Sequence, residues 1–410
     1  MAQGQHSNSA KLEAWLHRAW SHRGLWAHMT WPLSKVLWWL HCMRERLAQK
    51  ASSPFFSFSN DERGGFQKNR LPVPLVVVGN VFVGGVGKTP LVIALVEHLQ
   101  AQGLQVGVIA RGHGSNNQGV QVLNASSTAE QLGDEPLLVH HRTQAPVVVG
   151  VDRLKAAQTL LEHFPQTQVI LSDDGLQRLK RWADLVVCVF DERGVGNGWT
   201  LPAGPLREPW PREAAGEDQS WVILSQVPSL QDSTSRATFR ATSLPQAHTP
   251  PPIGPHFVAK RSLAGVARNA QGQTLELVQL KLDTHAQTPA QALAKRSCPR
   301  LVAITGIAKP EQFFNMLTYL GLQLSERLSA RDHAGAEELM DLLRSQIGPT
   351  SPKSPEVIVL CTEKDANKLW SVFPNAWCVG LEVTLEPIFL EEFDLALRHR
   401  ISSIHGHETH

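Results

Sequence analysis

Val76-Val77-Val78-Gly79-Asn80-Val81-Phe82-Val83-Gly84-Gly85-Val86-Gly87-Lys88-Thr89-Pro90 decides the fold. An apolar β-branched run enters a loop with four glycines and a Lys-Thr pair, and an amphipathic segment follows. Strand, loop and helix therefore come in the order that a phosphate-binding loop requires. Glycines let backbone N–H groups converge on phosphate oxygens, and the helix N-terminus adds the positive end of its dipole. In this reading Phe82, Val83, Gly84, Gly85, Val86, Gly87, Lys88 and Thr89 bind the nucleotide. Lys88 reaches the β- and γ-phosphates, and Thr89 sets its hydroxyl on Mg²⁺. The common spacing has a glycine where this chain has Phe82, so the loop is a Gly-Gly-x-Gly-Lys-Thr variant. A tight strand-to-helix turn is the bland alternative, which leaves the Lys-Thr pair unexplained.

Outward from the loop, short β-branched runs alternate with amphipathic segments, the pattern of βαβ units around a buried parallel sheet. Strands are expected at 75–78, 105–109, 146–149, 169–171 and 185–190, and helices at 89–100, 135–141 and 152–163. The fold class is α/β, a doubly wound, mostly parallel sheet with ligands at the carboxyl ends of its strands. At 410 residues the chain exceeds the ~250–300 at which single cores stop growing. The expected division is an N-terminal helical segment (1–55), a nucleotide-binding core (70–227), a linker rich in Ser, Thr, Gln and Pro with short strands (228–299), and a smaller α/β lobe (300–410).

Charge is balanced, 39 basic against 37 acidic residues, which gives no reason to invoke nucleic acid. The five cysteines are scattered without metal or disulfide spacing, as suits a reducing compartment. Neither a signal peptide nor a run of ~20 apolar residues is visible. The N-terminal segment carries six of the twelve tryptophans (Trp15, Trp20, Trp26, Trp31, Trp38, Trp39) among an excess of Lys and Arg. Indoles at headgroup depth and cations on anionic lipid describe an interfacial helix; packing on the following domain is the alternative. Pro32 is expected to divide it into helices 12–22 and 33–49.

A second acidic site follows at Val169-Ile170-Leu171-Ser172-Asp173-Asp174-Gly175-Leu176-Gln177. An apolar strand ending in carboxylates resembles the magnesium-holding half of a P-loop site. Alone, Asp-Asp-Gly reads equally as a turn or helix cap.

These segments, together with Arg111-Gly112, Gly133-Asp134-Glu135-Pro136, Asp152-Arg153, Leu201-Pro202-Ala203-Gly204-Pro205-Leu206-Arg207-Glu208-Pro209, Thr305-Gly306-Ile307-Ala308-Lys309-Pro310, Asp332-His333 and Thr362-Glu363-Lys364-Asp365, resemble the tetraacyldisaccharide 4′-kinases in order and spacing. The resemblance implies transfer of the ATP γ-phosphate to the 4′-hydroxyl of a tetraacyldisaccharide 1-phosphate, in lipid A synthesis. It implies a site at the cytoplasmic face of the Gram-negative inner membrane, with the lipid substrate and the membrane surface as partners and no obligate protein partner.

It also implies roles. Asp134 is the expected base on the hydroxyl, although Gly-Asp-Glu-Pro alone reads as a helix N-cap. His333 is the histidine that pairs with it. Arg153 stabilises charge on the transferring phosphoryl group, its alternative being an exposed first-turn arginine. Thr89, Asp173, Asp174 and Glu208 are the magnesium candidates, and Asn80, Gln177 and Arg178 the substrate contacts. Where the family usually has Phe and His around that glutamine, this chain has Leu176 and Arg178; arginine contacts phosphate but shuttles no proton near neutral pH. The rival reading is a membrane-associated regulatory P-loop ATPase or GTPase, which needs no second lobe.

Overall fold

The computed structural model describes residues 15–16, 18–51, 71–112, 119–124, 126–179, 182–211, 219–228, 254, 256–281, 300–332, 334–347 and 357–405. The helix start expected at Leu12, most of the linker, and His333 lie outside the described residues.

In chain order the elements are α1 (Leu25–Ala51), β1 (Leu75–Gly79), α2 (Lys88–Ala101), β2 (Val106–Ala110), β3 (Gln121–Val122), α3 (Ala129–Leu132), α4 (Asp134–Thr143), β4 (Val147–Val149), α5 (Arg153–His163), β5 (Val169–Asp173) and β6 (Leu185–Phe190). Then come β7 (Gln219–Gln226), β8 (Phe257–Arg268), β9 (Thr274–Glu276), β10 (Arg300–Thr305), α6 (Pro310–Tyr319), β11 (Glu326–Ser329), α7 (Ala336–Ile347), β12 (Val357–Thr362), α8 (Glu363–Leu369), β13 (Trp377–Leu385) and α9 (Pro387–His405).

The thirteen strands of the described residues belong to one sheet, ordered β11-β10-β12-β13-β8-β7-β6-β1-β5-β2-β4-β3, with β9 on β8. Pairing is parallel except at β13–β8, β8–β9 and β3–β4. Every residue of β1, β2, β5 and β6 is buried, as expected of parallel strands covered by helices on both faces. In the second lobe, alternation splits the residues of β10 between two cores. Leu301 and Ala303 meet Phe313, Phe314 and Leu317 of α6, while Val302 and Ile304 meet Leu339 and Leu343 of α7.

Three features depart from the sequence expectation. The stretch 257–268, read as part of a linker, is a twelve-residue strand that both lobes share. Lys260, Arg261, Ser262 and Arg268 hide its alternation, and its strand state comes from neighbours: Ala259 pairs with Ser225 of β7 on one side and Leu385 of β13 on the other. Secondly, α1 runs through Pro32 unbroken. Hydroxyls thread the turns around the proline, Thr30 donating to the Trp26 carbonyl and Ser34 to that of Thr30. The chain turns instead at residues 21–24, where Asn197 N–H donates to Trp20 O, Trp20 Nε1 to Pro202 O, and Arg23 Nε to Asn197 O. Finally, α9 follows the second lobe in sequence but packs on the first, with Phe389, Phe393 and Leu397 inside its core beside Trp221.

Beyond its anchor on the 197–203 loop, α1 presents Leu25, Met29, Trp39, Leu40 and Leu47 to solvent. No described helix is long and apolar enough to cross a membrane.

Phe393→Ala, which opens a cavity in the first core from within α9, is expected to lower the unfolding free energy by about 3–5 kcal/mol. Urea denaturation reads this as a lower midpoint; a midpoint within error of the parent would show that α9 is dispensable to that core.

Candidate active site

The phosphate loop is shaped by one buried amide. Asn80, immediately after β1, donates from Nδ2 to Phe82 O, while its Oδ1 accepts from Lys88 Nζ at 3.0 Å. One side chain thus ties the start of the loop to the lysine at its end. Gly87 caps α2 with φ 84°, in the left-handed region where a Cβ is strained. Phe82, in place of the usual glycine, is buried under the Arg193 guanidinium, 4.3 Å from the ring centroid, and Arg193 also donates to Gly85 O. Alongside runs the proline-rich loop: Val83 N–H donates to Pro205 O at 2.9 Å, and Arg207 N–H to Val81 O at 2.7 Å.

Register brings the acidic pair to the loop. Parallel pairing of β1 with β5 sets Val78 beside Asp173, and Thr89 Oγ1 donates to Asp173 Oδ2 at 2.9 Å. Burial pushes the Asp173 carboxyl up to about 7, helped by the charge of Glu135 and opposed by Lys88 and the Thr89 hydroxyl. Asp174, with φ 66°, turns the chain sharply out of the sheet. Burial alone would raise its carboxyl, but Lys88 and Arg207, each 3.7 Å from Oδ2, hold it below the usual range. Its Oδ1 is buried without a hydrogen-bond partner. A fully buried carboxylate, a hydroxyl and an open carboxylate oxygen make the donor set that a hard, oxygen-seeking cation takes, so Mg²⁺ fits here.

Arg153, first residue of α5, is buried rather than exposed; its Nη1 donates to Gly150 O, and Nε lacks a partner. Burial pushes this guanidinium down to about 10 despite the nearby Asp174. Gln177 links Asn80 O and Glu208 Oε1, at 3.3 and 3.2 Å, in a layer beside the loop. Arg178 takes no part in it: exposed, it donates to Val151 O. Leu176, in place of the family's phenylalanine, sits against Gly79 so closely that a Cβ there would be 2.7 Å away.

A cavity of about 440 Å³ opens between the phosphate loop and the second lobe. Gly84 to Thr89, Arg111, Glu135, Asp173, Asp174 and Arg207 form one wall; Arg261, Leu263, Lys309, Phe313, Met316, Asp332 and Lys364 belong to the other. Asp134 opens α4 at the seam, buried, with Lys368 Nζ of α8 at 2.8 Å from Oδ2. Arg142 of α4 crosses the same seam to Glu363 at 2.8 Å, and Lys309 reaches Asp191 at 2.9 Å. Sequence reasoning assigned no role to Lys368, Arg193 or Arg261. Lys309 and Glu135 sat within quoted motifs but were given none either.

Residues 26–398 match the family model described as tetraacyldisaccharide-1-P 4′-kinase. A relative named tetraacyldisaccharide 4′-kinase from Acidovorax sp. (strain JS42) is 38% identical over 391 residues, covering 95% of this chain and 96% of its own length. One of the same name from Polaromonas naphthalenivorans (strain CJ2) is 37% identical over 401 residues, covering 96% and 98%. LpxK from Aquifex aeolicus, solved as an "apo" form in complex with ATP, is 24% identical with a TM-score of 0.60, over 92% of this chain and 99% of that one. That likeness supports the fold.

The Asp173 shift has a sign. Its carboxyl rises from 3.8 to about 7 on folding, so between those values the native state binds more protons than the unfolded chain. Stability without ligand should fall as pH rises through that window and level off above it. Asp173→Asn is expected to remove this slope, worth on the order of a few kcal/mol. Denaturation midpoints at pH 5 and pH 8 in chelator check it, and parallel pH profiles for the two proteins would refute it.

Proposed function

The chain belongs to the tetraacyldisaccharide-1-phosphate 4′-kinase family and phosphorylates the 4′-hydroxyl of that lipid A precursor; we propose that the transfer takes place in the cavity between its two lobes, from ATP held on Gly84 to Thr89. The observation that carries this is the meeting of Lys88, Thr89, Asp173 and Asp174 on one wall, with Asp134 at the seam where the second lobe closes.

Phosphoryl transfer asks the protein to position reactants and neutralise charge. Backbone N–H groups of the loop and the start of α2 receive the β- and γ-phosphates. Lys88 exchanges Asn80 Oδ1 for phosphate oxygen. Arg207 and Arg153, both drawn to Asp174, spread the negative charge that builds on the moving phosphoryl group. Asp134 accepts the 4′-hydroxyl proton as the hydroxyl oxygen bonds to the γ-phosphorus, the bridging P–O bond breaks and ADP leaves. Lys368 fixes the direction of that carboxylate, and the family resemblance makes His333 its further partner. Thr89, Asp173 and Asp174 would hold Mg²⁺, which would supply charge neutralisation for the phosphates, with Glu208 joined to this layer through Gln177. Asn80 and Gln177 shape the acceptor side through their shared hydrogen bond. Arg178, exposed and directed at Val151, contacts the substrate from outside the cavity.

The exposed apolar face of α1 supplies the address. Its tryptophans and leucines sit at the level of lipid headgroups on the cytoplasmic side of the inner membrane, and the acyl chains of the substrate remain in the bilayer while its sugar enters the cavity. Residues 1–55 serve as the anchoring segment and 70–227 as the nucleotide core, and of 300–410 the part before α9 closes over that core while α9 packs within it. Family membership along nearly the whole chain disfavours the switch-ATPase reading.

Transfer of labelled γ-phosphate from ATP to tetraacyldisaccharide 1-phosphate in micelles tests the assignment. Lys88→Ala and Asp134→Ala should each lower kcat/KM by about 10²–10⁴-fold; full activity in Asp134→Ala would remove it as the base. Co-sedimentation with anionic vesicles tests the address. Replacing Trp39 and Leu40 together by Ala should weaken vesicle binding by roughly tenfold or more with the melting temperature unchanged, whereas undiminished binding would place membrane contact elsewhere.

A further inference from the structure

Arg261 stands on β8, the strand shared by the two lobes, and lines the cavity. Only 7% of it is exposed. Its guanidinium lies against the last residue of the phosphate loop: a Cβ built on Gly87 would be 3.2 Å from Nη1. From α6, on the same wall as Arg261, Gln312 Oε1 accepts from that same nitrogen at 3.4 Å, a long contact with a neutral amide. Nε is buried with no partner. Of the acids whose charge it feels, Glu192 lies 3.6 Å from Lys309, and Asp191 already receives Arg193 and Lys309. A desolvated guanidinium with an open donor is costly unless a ligand brings the missing negative charge. The cavity it faces is the one that receives phosphate.

We propose that Arg261 is a further phosphate-binding residue, its guanidinium engaging the terminal phosphoryl group of the nucleoside triphosphate seated on Gly84 to Thr89. This rests on the kinase reading of that loop. The lipid acceptor also carries a phosphate, but contact with Gly87, next to the lysine that reaches the β- and γ-phosphates, selects the nucleotide. Since Gln312 belongs to α6, Arg261 also couples the terminal phosphate to the second lobe: a triphosphate draws the guanidinium and α6 toward the loop, and a diphosphate does not.

The test compares Arg261→Gln and Arg261→Lys with the parent in calorimetric binding of ADP and of the non-hydrolysable triphosphate AMP-PNP, in melting temperature, and in steady-state transfer. Arg261→Gln should lower kcat/KM for ATP by about 10²–10³-fold. It should weaken AMP-PNP by about tenfold or more while ADP stays within about twofold, as expected for one lost charge-assisted contact. Arg261→Lys should restore part of the triphosphate affinity. The ligand-free melting temperature of Arg261→Gln should hold or rise, since a buried open donor has been shortened. Equal loss of ADP and AMP-PNP, or a lowered melting temperature, would make Arg261 a structural residue and overturn the proposal. Intact AMP-PNP binding with a raised KM for lipid would assign it to the acceptor phosphate and overturn it equally. The binding arm needs no lipid, so a parent protein that binds AMP-PNP but phosphorylates no lipid defeats the kinase reading alone.

Discussion

Parallel pairing of β1 with β5 is the constraint on which the site depends. Val78 and Asp173 occupy the same level of adjacent strands, so the chain leaving one strand as a glycine loop and the chain leaving the other as an acidic turn emerge side by side. Thr89 closes the circuit by donating to Asp173 from the first turn of α2. Because side chains alternate along a strand, a slip of one residue would turn Asp173 to the other face and set Ser172 or Asp174 beside Val78 in its place. Hydrogen bonds to the Val81 and Pro205 backbone then fasten the 200–208 loop to this frame, which brings Arg207 to Asp174.

Such a frame concentrates unfavourable electrostatics in one place. Asp173 is held away from water beside Glu135, Arg153 keeps an unpartnered Nε, and Asp174 keeps an open oxygen. A surrounding of fully buried β-branched strands supplies the stability against which these groups are maintained. Each open position is of the sign and type that a nucleotide or its cation would complete. Groups held in place before the ligand arrives need little reorganisation at the moment of transfer.

Much of this was legible in the sequence because the first lobe obeys local rules. The strands around Val77, Ile109, Leu171 and Val187 are continuous apolar runs, and Gly87-Lys88-Thr89 opens a helix, so both period and punctuation announce the fold. Less legible were elements whose state is set by neighbours. β8 carries Lys260 and Arg261 within its run and becomes a strand only because β7 and β13 flank it. Pro32 suggested a break that tertiary hydrogen bonds moved to residues 21–24. For the site, motif order pointed to Asp134, whereas its partner Lys368 sits 234 residues away with no motif to mark it. Arg178 stood beside the acidic pair in sequence, yet the tight turn at Asp174 and Gly175 carries its side chain out to Val151.

The route of α9 bears on how the chain is made. Phe389 and Phe393 lie in the same core as Val77 and Ile109, although the whole second lobe is translated between them. A ribosome therefore releases the βαβ units of the nucleotide core with a groove beside Trp221 still uncovered, and that groove is filled only after the intervening lobe has emerged. Folding of the first lobe cannot finish vectorially, ahead of the second. The late-arriving helix also acts as a clasp: once α9 has docked, the second lobe is tethered to the first at both of its ends, by β8 on entry and α9 on exit, and its motion is confined to a swing about those two attachments.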